Sequence, residues 1–248
     1  MIRPALLAAA LLASPALAQD EPPSDEPAAT GGRPALDVTA RIDLFSDYRF
    51  RGVSRSDEDP AVQAGLALYH DSGFYAGARA TSLAGVDRFR LQDQGDAQID
   101  LYAGYGAELG GGFSLDAGVI YYAFAGAPGP ADHVEPYASL SYLIGPLQLT
   151  GGAKYAPSQD GTRGEDMLYL YGQADVTVPF RPWSFSAQLG HQDWGAFGSY
   201  WNWSLGGRYH VRLEGVPNTE IGLAYVDTDL PSGSGRDAAV VLSVEIGF

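Results

Sequence analysis

Many of the charged side chains of this chain fall on one face of an alternating pattern. Arg41, Asp43, Asp47, Arg49 and Arg51 share one parity within a single stretch. Arg79, Asp100, Glu108, Asp116, Glu135, Lys154, Asp175, Arg208, His210, Arg212 and Glu245 continue the set, opposite apolar neighbours. Charges of both signs on one face of extended backbone can line a water-filled path and set its ion preference. They can also pair across a narrow interior and fill it. The first is the favoured expectation and the second its alternative. Arg49 and Arg51 would then stand near one mouth, drawing an anionic solute or pairing with Asp57, Glu58 and Asp59.

Covalent chemistry finds little support. Of the four histidines, His191 falls on the apolar register near the external end of its strand, with Ser199 and Asn202 not far along the chain. That arrangement would suit a lipid-modifying hydrolase, but no G-x-S-x-G elbow is present. Asp93-Gln94-Gly95-Asp96 and Ser56-Asp57-Glu58-Asp59 are acidic stretches that could hold Ca²⁺ through oxygen ligands, but the first lacks the spacing and terminal Glu of a twelve-residue calcium loop, and solvated loops are expected. Gly110-Gly111-Gly112 precedes no helix, so it is not a phosphate-binding loop. With no cysteine there is neither disulfide, thiolate site nor cysteine nucleophile. No catalytic residue, metal or cofactor is expected.

The elements that position these charges are strands. Val240, Leu242, Val244, Ile246 and Phe248 alternate with Val241, Ser243, Glu245 and Gly247. Ala97, Ile99, Leu101, Ala103, Tyr105, Ala107 and Leu109 oppose Gln98, Asp100, Tyr102, Gly104, Gly106 and Glu108. A period of two is the mark of half-buried β-structure. Twelve segments are predicted, at 37–51, 61–70, 74–83, 97–109, 113–124, 134–144, 147–156, 167–178, 183–193, 201–213, 219–228 and 238–248. Their connectors alternate between tight turns and longer polar loops, the loops at 52–60, 84–96, 125–133, 157–166, 194–200 and 229–237. An up-and-down meander of twelve strands, closed into a transmembrane antiparallel β-barrel, has this organisation.

The N-terminus adds an address. Residues 1–18 read as a signal peptide, with Arg3, an apolar run and Ala16-Leu17-Ala18 as cleavage site. Residues 19–35 form an acidic, Pro-rich leader, expected to be disordered in the periplasm. Residues 36–248 are the barrel domain. The chain carries 30 acids and 15 bases, a net charge of −15, which becomes −16 once Arg3 is removed. At pI 4.4 nucleic acid is not an expected partner.

Alternation by itself does not say which face meets lipid. Gly65, Gly77, Gly104, Gly106, Gly118, Gly152, Gly190, Gly206, Gly222 and Gly247 fall on the polar face; Gly151, Gly172 and Gly207 fall on the apolar one. On the concave wall of a barrel, glycine relieves crowding beside Tyr and Arg. Tyr48, Phe50, Phe74, Phe113, Tyr121, Tyr142, Tyr155, Trp183, Trp201 and Trp203 lie near segment ends, as interfacial girdles would. Phe248 closes an alternating strand and is expected to serve as an assembly signal. Such a barrel turns one residue in two toward lipid and builds no long apolar run. A 46% hydrophobic composition then coexists with a mean hydropathy of −0.10.

Ser46-Asp47-Tyr48-Arg49-Phe50-Arg51-Gly52-Val53-Ser54, then Pro60-Ala61-Val62-Gln63-Ala64-Gly65 and Ser72-Gly73-Phe74-Tyr75-Ala76-Gly77, resemble the TorF family of porin-like outer-membrane proteins. The motif residues are Ser46, Asp47, Tyr48, Phe50, Arg51, Gly52 and Ser54. The resemblance implies a barrel in the Gram-negative outer membrane without implying a solute. The expected function is passive diffusion of small hydrophilic solutes or ions, and the expected partners are lipid, lipopolysaccharide and the barrel-assembly machinery. An occluded structural or sensory barrel is the alternative. A closed lumen with Arg49 and Arg51 held in salt bridges would favour that alternative.

Overall fold

The computed structural model describes residues 36–87, 92–213 and 216–248. The expected signal peptide and leader lie outside the described residues. Fourteen strands follow one another with no α-helix among the described residues: β1 Leu36–Phe45, β2 Arg49–Phe50, β3 Val53–Ser54, β4 Ala61–His70, β5 Phe74–Asp87, β6 Gln92–Gly110 and β7 Phe113–Ala125. Then come β8 His133–Ile144, β9 Leu147–Ala156, β10 Met167–Thr177, β11 Trp183–Asp193, β12 Ser199–Leu213, β13 Val216–Thr228 and β14 Ala239–Gly247. Twelve of them close an antiparallel barrel in meander order. Closure is made by β1 on β14, with Asp43 opposite Glu245 and Leu44 opposite Val244. Phe248 and Ala40 exchange both main-chain hydrogen bonds just beyond that ladder. A closed barrel leaves no unpaired strand edge.

Strands β2 and β3 stay out of the barrel wall and form a separate two-stranded sheet. This corrects the expected strand at 37–51 and the expected external loop at 52–60. The wall strand stops at Phe45. Ser46 then donates its N–H to Leu242 O at 2.9 Å and accepts from Leu242 N at 2.9 Å through its hydroxyl, turning the chain off the wall. Strands β5 and β6 also run further than expected, to Asp87 and from Gln92, so much of the expected 84–96 loop is paired strand.

Outside, the alternating apolar set is exposed: Leu66, Leu101, Leu140, Leu170, Leu205, Leu223 and Leu242 all face away from the interior. Water would meet this surface at high cost, and hydrocarbon would not. Aromatics pair at the end carrying the tight turns: Phe74 on Tyr105 at 4.9 Å, Phe113 on Tyr142 at 4.5 Å and Trp183 on Tyr209 at 4.8 Å. Tyr121, Tyr155, Trp201 and Tyr225 are exposed toward the loop end. Tyr48 and Phe50 do not join either girdle, because both are buried within the lumen.

Inside, bulky side chains lean over the glycines opposite them. Tyr102 covers Gly77, Tyr75 covers Gly104, Tyr137 covers Gly118 and Tyr171 covers Gly152. A Cβ at Gly118 would stand 2.5 Å from Ala103 O and 2.6 Å from Tyr137 Oη, whereas one at Gly172, on the outer face, would meet nothing within 4 Å. Gly118→Val is therefore expected to cost about 1–3 kcal/mol by overpacking, and Gly172→Val to be nearly neutral. The fraction of protein showing heat-modifiable gel migration after refolding in detergent measures both. Equal yields from the two variants would contradict this difference in packing.

Candidate functional site: a hairpin seated in the lumen

The inserted segment folds by its own local chemistry. Phe50 pairs with Val53 and Arg49 with Ser54, leaving Arg51-Gly52 as a two-residue turn. Arg51 has φ +49° and Gly52 φ +85°, the double left-handed backbone of a type I′ hairpin. Asp47 ties the base together. It accepts from Arg49 Nε at 2.6 Å, Ser54 Oγ at 2.6 Å and Ser56 Oγ at 3.2 Å. Ser56 Oγ also accepts the Tyr48 N–H at 2.8 Å, and Arg55 N–H donates to Tyr48 O at 2.8 Å. The motif residues Asp47, Gly52 and Ser54, with Arg49 between them, thus specify a hairpin, and all of them are buried.

Three arginines fasten it to the barrel. Arg51 donates through Nη2 to Glu135 Oε2 on β8 at 2.7 Å and through Nη1 to Gln192 Oε1 on β11 at 2.5 Å. Its guanidinium also lies 4.3 Å from the Tyr169 ring centroid on β10. Arg55 donates to Gln98 on β6 and sits 3.4 Å over the Phe50 ring. From Gln98 the network continues to Asp100 Oδ1 at 2.6 Å, and Asp100 Oδ2 accepts Arg79 Nε at 2.9 Å and Nη2 at 2.8 Å on β5. Arg49 Nη1 reaches Asp237 O, in the segment between β13 and β14, at 2.7 Å. Phe50 meets Tyr122 edge-on at 5.8 Å, within an apolar cluster that includes Tyr69, Tyr102, Phe124 and Tyr137. Gly52 rests on Asn202 and Thr228 of β12 and β13. The hairpin therefore spans the lumen toward its loop end.

Arg49 and Arg51 are placed in this hairpin, with Asp47, and not on the first wall strand as the sequence suggested. Of the other candidates, Asp43, Arg79, Asp100, Glu135, Lys154 and Arg208 are buried on the inner wall. Arg41, Asp116, Asp175, His210 and Glu245 are half-buried, while Glu108 is exposed near the turn end. Arg212 lies outside the described side chains. Arg41 bridges Asp43 at 3.2 Å and Glu245 at 3.3 Å, and Asp116 accepts from Tyr75 Oη at 2.5 Å. The structure also brings in residues the sequence did not mark: Arg55, Gln98, Gln192 and Tyr169. A legible signal existed for Arg55, which falls between two serines directly after the motif; the others look like ordinary inner-face residues until a hairpin arrives.

The hydrolase constellation is not assembled. His191 faces outward against Trp201 at 4.6 Å, while Asn202 turns inward and accepts from Tyr169 Oη at 3.1 Å. A different relay is present in the lumen. Ser184 Oγ lies 3.2 Å from His210 Nε2, and His210 Nδ1 lies 2.8 Å from Glu220 Oε1. All three sit inside continuous ladders, whose main-chain amides are engaged between strands and give no oxyanion hole. Among the described residues no three or more His, Asp or Glu side chains gather to hold a metal ion.

A closed twelve-stranded barrel, apolar outside and polar within, defines the porin type of fold. Solved structures that share it include the NanC porin, with TM-score 0.53 at 13% identity over 85% of this chain and 98% of that one, and the KdgM porin in complex with disordered oligogalacturonate, with TM-score 0.56 at 11% identity over the same shares. At such identities the likeness is one of fold. No curated protein matches the sequence. The chain belongs to Gcw_chp, a family described as bacterial protein of unknown function, which it matches over residues 28–242.

Proposed function

We propose that this chain is an outer-membrane channel for small hydrophilic solutes or ions, constricted toward the cell exterior by the hairpin of residues 47–56. One observation carries the reading: a folded, arginine-bearing hairpin is seated inside a closed barrel whose inner wall is polar. In this reading the tight turns face the periplasm and the long loops the exterior. The signal peptide at 1–18 exports the chain, and lipid and lipopolysaccharide meet the apolar outer face. The TorF resemblance in residues 46–77 agrees with it, and that motif then has a physical meaning, since its residues build the constriction. The barrel opens unevenly. Lining residues toward the turn end, such as Ser141, Thr150 and Asp175, are only half-buried, whereas those around the hairpin are enclosed.

The occluded alternative keeps one specific support: Arg49 and Arg51 are both buried in ion pairs. Planar-bilayer recording separates the two. The intact protein is expected to show small unitary steps, and a variant with 47–56 replaced by a short Gly-Ser turn to show steps several-fold larger. Silence from both proteins, each shown to be folded by heat-modifiable migration, would rule out the channel. Silence from the intact protein alone would establish a plugged barrel.

A further inference from the structure

The charge of this protein is distributed against its overall sign. The chain has twice as many acids as bases. Yet among the described residues the bases fully enclosed by the barrel are Arg49, Arg51, Arg55, Arg79, Lys154 and Arg208, against four enclosed acids. Five of these six bases sit at the level of the hairpin, where Asp47, Asp100 and Glu135 only partly offset them. Among the described residues the balance reverses toward the turn end, where Asp116, Asp175, Glu220 and Glu245 are half-buried and the bases are Arg41 and Arg208. In a filled section with low-dielectric walls, local charge decides which ion enters. Acids on outer loops, beyond a Debye length of about 8 Å, contribute little there.

Arg208 is a second, independent observation. It is 3% exposed and points inward from β12, and its Nε and Nη2 have no hydrogen-bond partner. Glu220, Glu245 and Asp175, and against them Arg41, act on it electrostatically without bonding to it. Its aliphatic stem lies against Gly222, where a Cβ would stand 3.6 Å from Arg208 Cγ. A guanidinium held this way, below the hairpin, keeps two donors that a carboxylate, sulfate or phosphate group could take.

We infer that the hairpin section is an anion filter and that Arg208 is the next station for an anion moving inward. The inference rests on the channel reading. Reversal potentials in a potassium chloride gradient test it on three folded proteins. The intact channel reverses at the sign of chloride selectivity. Excising 47–56 removes Arg49, Arg51 and Arg55 with one acid, leaves the acidic turn-end lining in control, and inverts the sign toward potassium. Arg208→Gln lowers the chloride-to-potassium ratio several-fold, and an unchanged ratio would remove Arg208 as a station. A potassium-selective intact channel would overturn the inference and leave the channel standing, as would an excised barrel that keeps the intact sign. Conductance from none of them would remove the channel reading and this one together.

Discussion

Gly52→Val is expected to unseat the hairpin and open the barrel. At φ +85° the backbone of residue 52 excludes a β-branched side chain at a cost of about 1–2 kcal/mol by itself. Steric contact costs more. A Cβ built there lies 2.5 Å from Thr228 Cγ2 and 2.9 Å from Asn202 Cβ. Both neighbours belong to the barrel wall, Asn202 paired on both sides and Thr228 paired with Asn202 itself, so the hairpin must give way. The expected readout is a unitary conductance close to that of the hairpin-excised barrel, with heat-modifiable migration unchanged because the wall is untouched. Gly52→Ala combined with Thr228→Ser, which removes the nearest methyl group, should recover part of the small intact conductance. A Gly52→Val protein that conducts like the intact one would show that the turn is not seated on β12 and β13.

Arg51→Ala is expected to have a comparable effect through electrostatics. Glu135 is 0% exposed, its Oε2 accepts from Arg51, and its Oε1 has no partner. Removing the guanidinium leaves a carboxylate enclosed without a bonded cation, a change that costs about 3–5 kcal/mol for a buried pair. If that cost falls on the docked hairpin, its released population rises by about two to four orders of magnitude. Single-channel records should then show frequent transitions to the large open level, and limited proteolysis should cut within 47–56. Adding Glu135→Gln should suppress the transitions, because a neutral amide tolerates enclosure better than an unpaired carboxylate. Insensitivity of both readouts to Arg51→Ala would mean that the aromatic contacts of Phe50, not the ion pair, hold the hairpin.

Much of the barrel was legible because its physics is local. A period of two requires no knowledge of distant residues, and in a closed wall every strand obeys it. The alternation of Gln98, Asp100, Tyr102 and Gly104 against Ile99, Leu101 and Ala103 marked the inner face of β6 directly. The asymmetric glycines reported the curvature of the same wall, since Gly65 faces Arg79, Gly77 faces Tyr102 and Gly190 faces Tyr169. The alternation then misled at 46–51. Asp47, Arg49 and Arg51 keep the parity of Arg41 and Asp43, so the strand reads as continuing through them. Parity does not distinguish a wall strand from a hairpin strand, because both are extended. The break was carried by smaller signals, the Ser46 side chain bonding back to Leu242 and a turn at Arg51-Gly52.

The sequence alone determined that the polypeptide alternates, that its turns and loops trade places, and that its polar face carries both signs of charge beside a surplus of glycine. Those features follow from backbone geometry and side-chain hydration, which act over a few residues. Only the tertiary structure decided that the motif segment enters the barrel instead of extending its rim. It also decided that Arg51 meets Glu135 84 residues away and that Nε and Nη2 of Arg208 are left without a partner. Such outcomes depend on which walls face each other after closure, and on the cost of leaving a buried charge unpaired. Neither quantity exists until the first and last strands have joined.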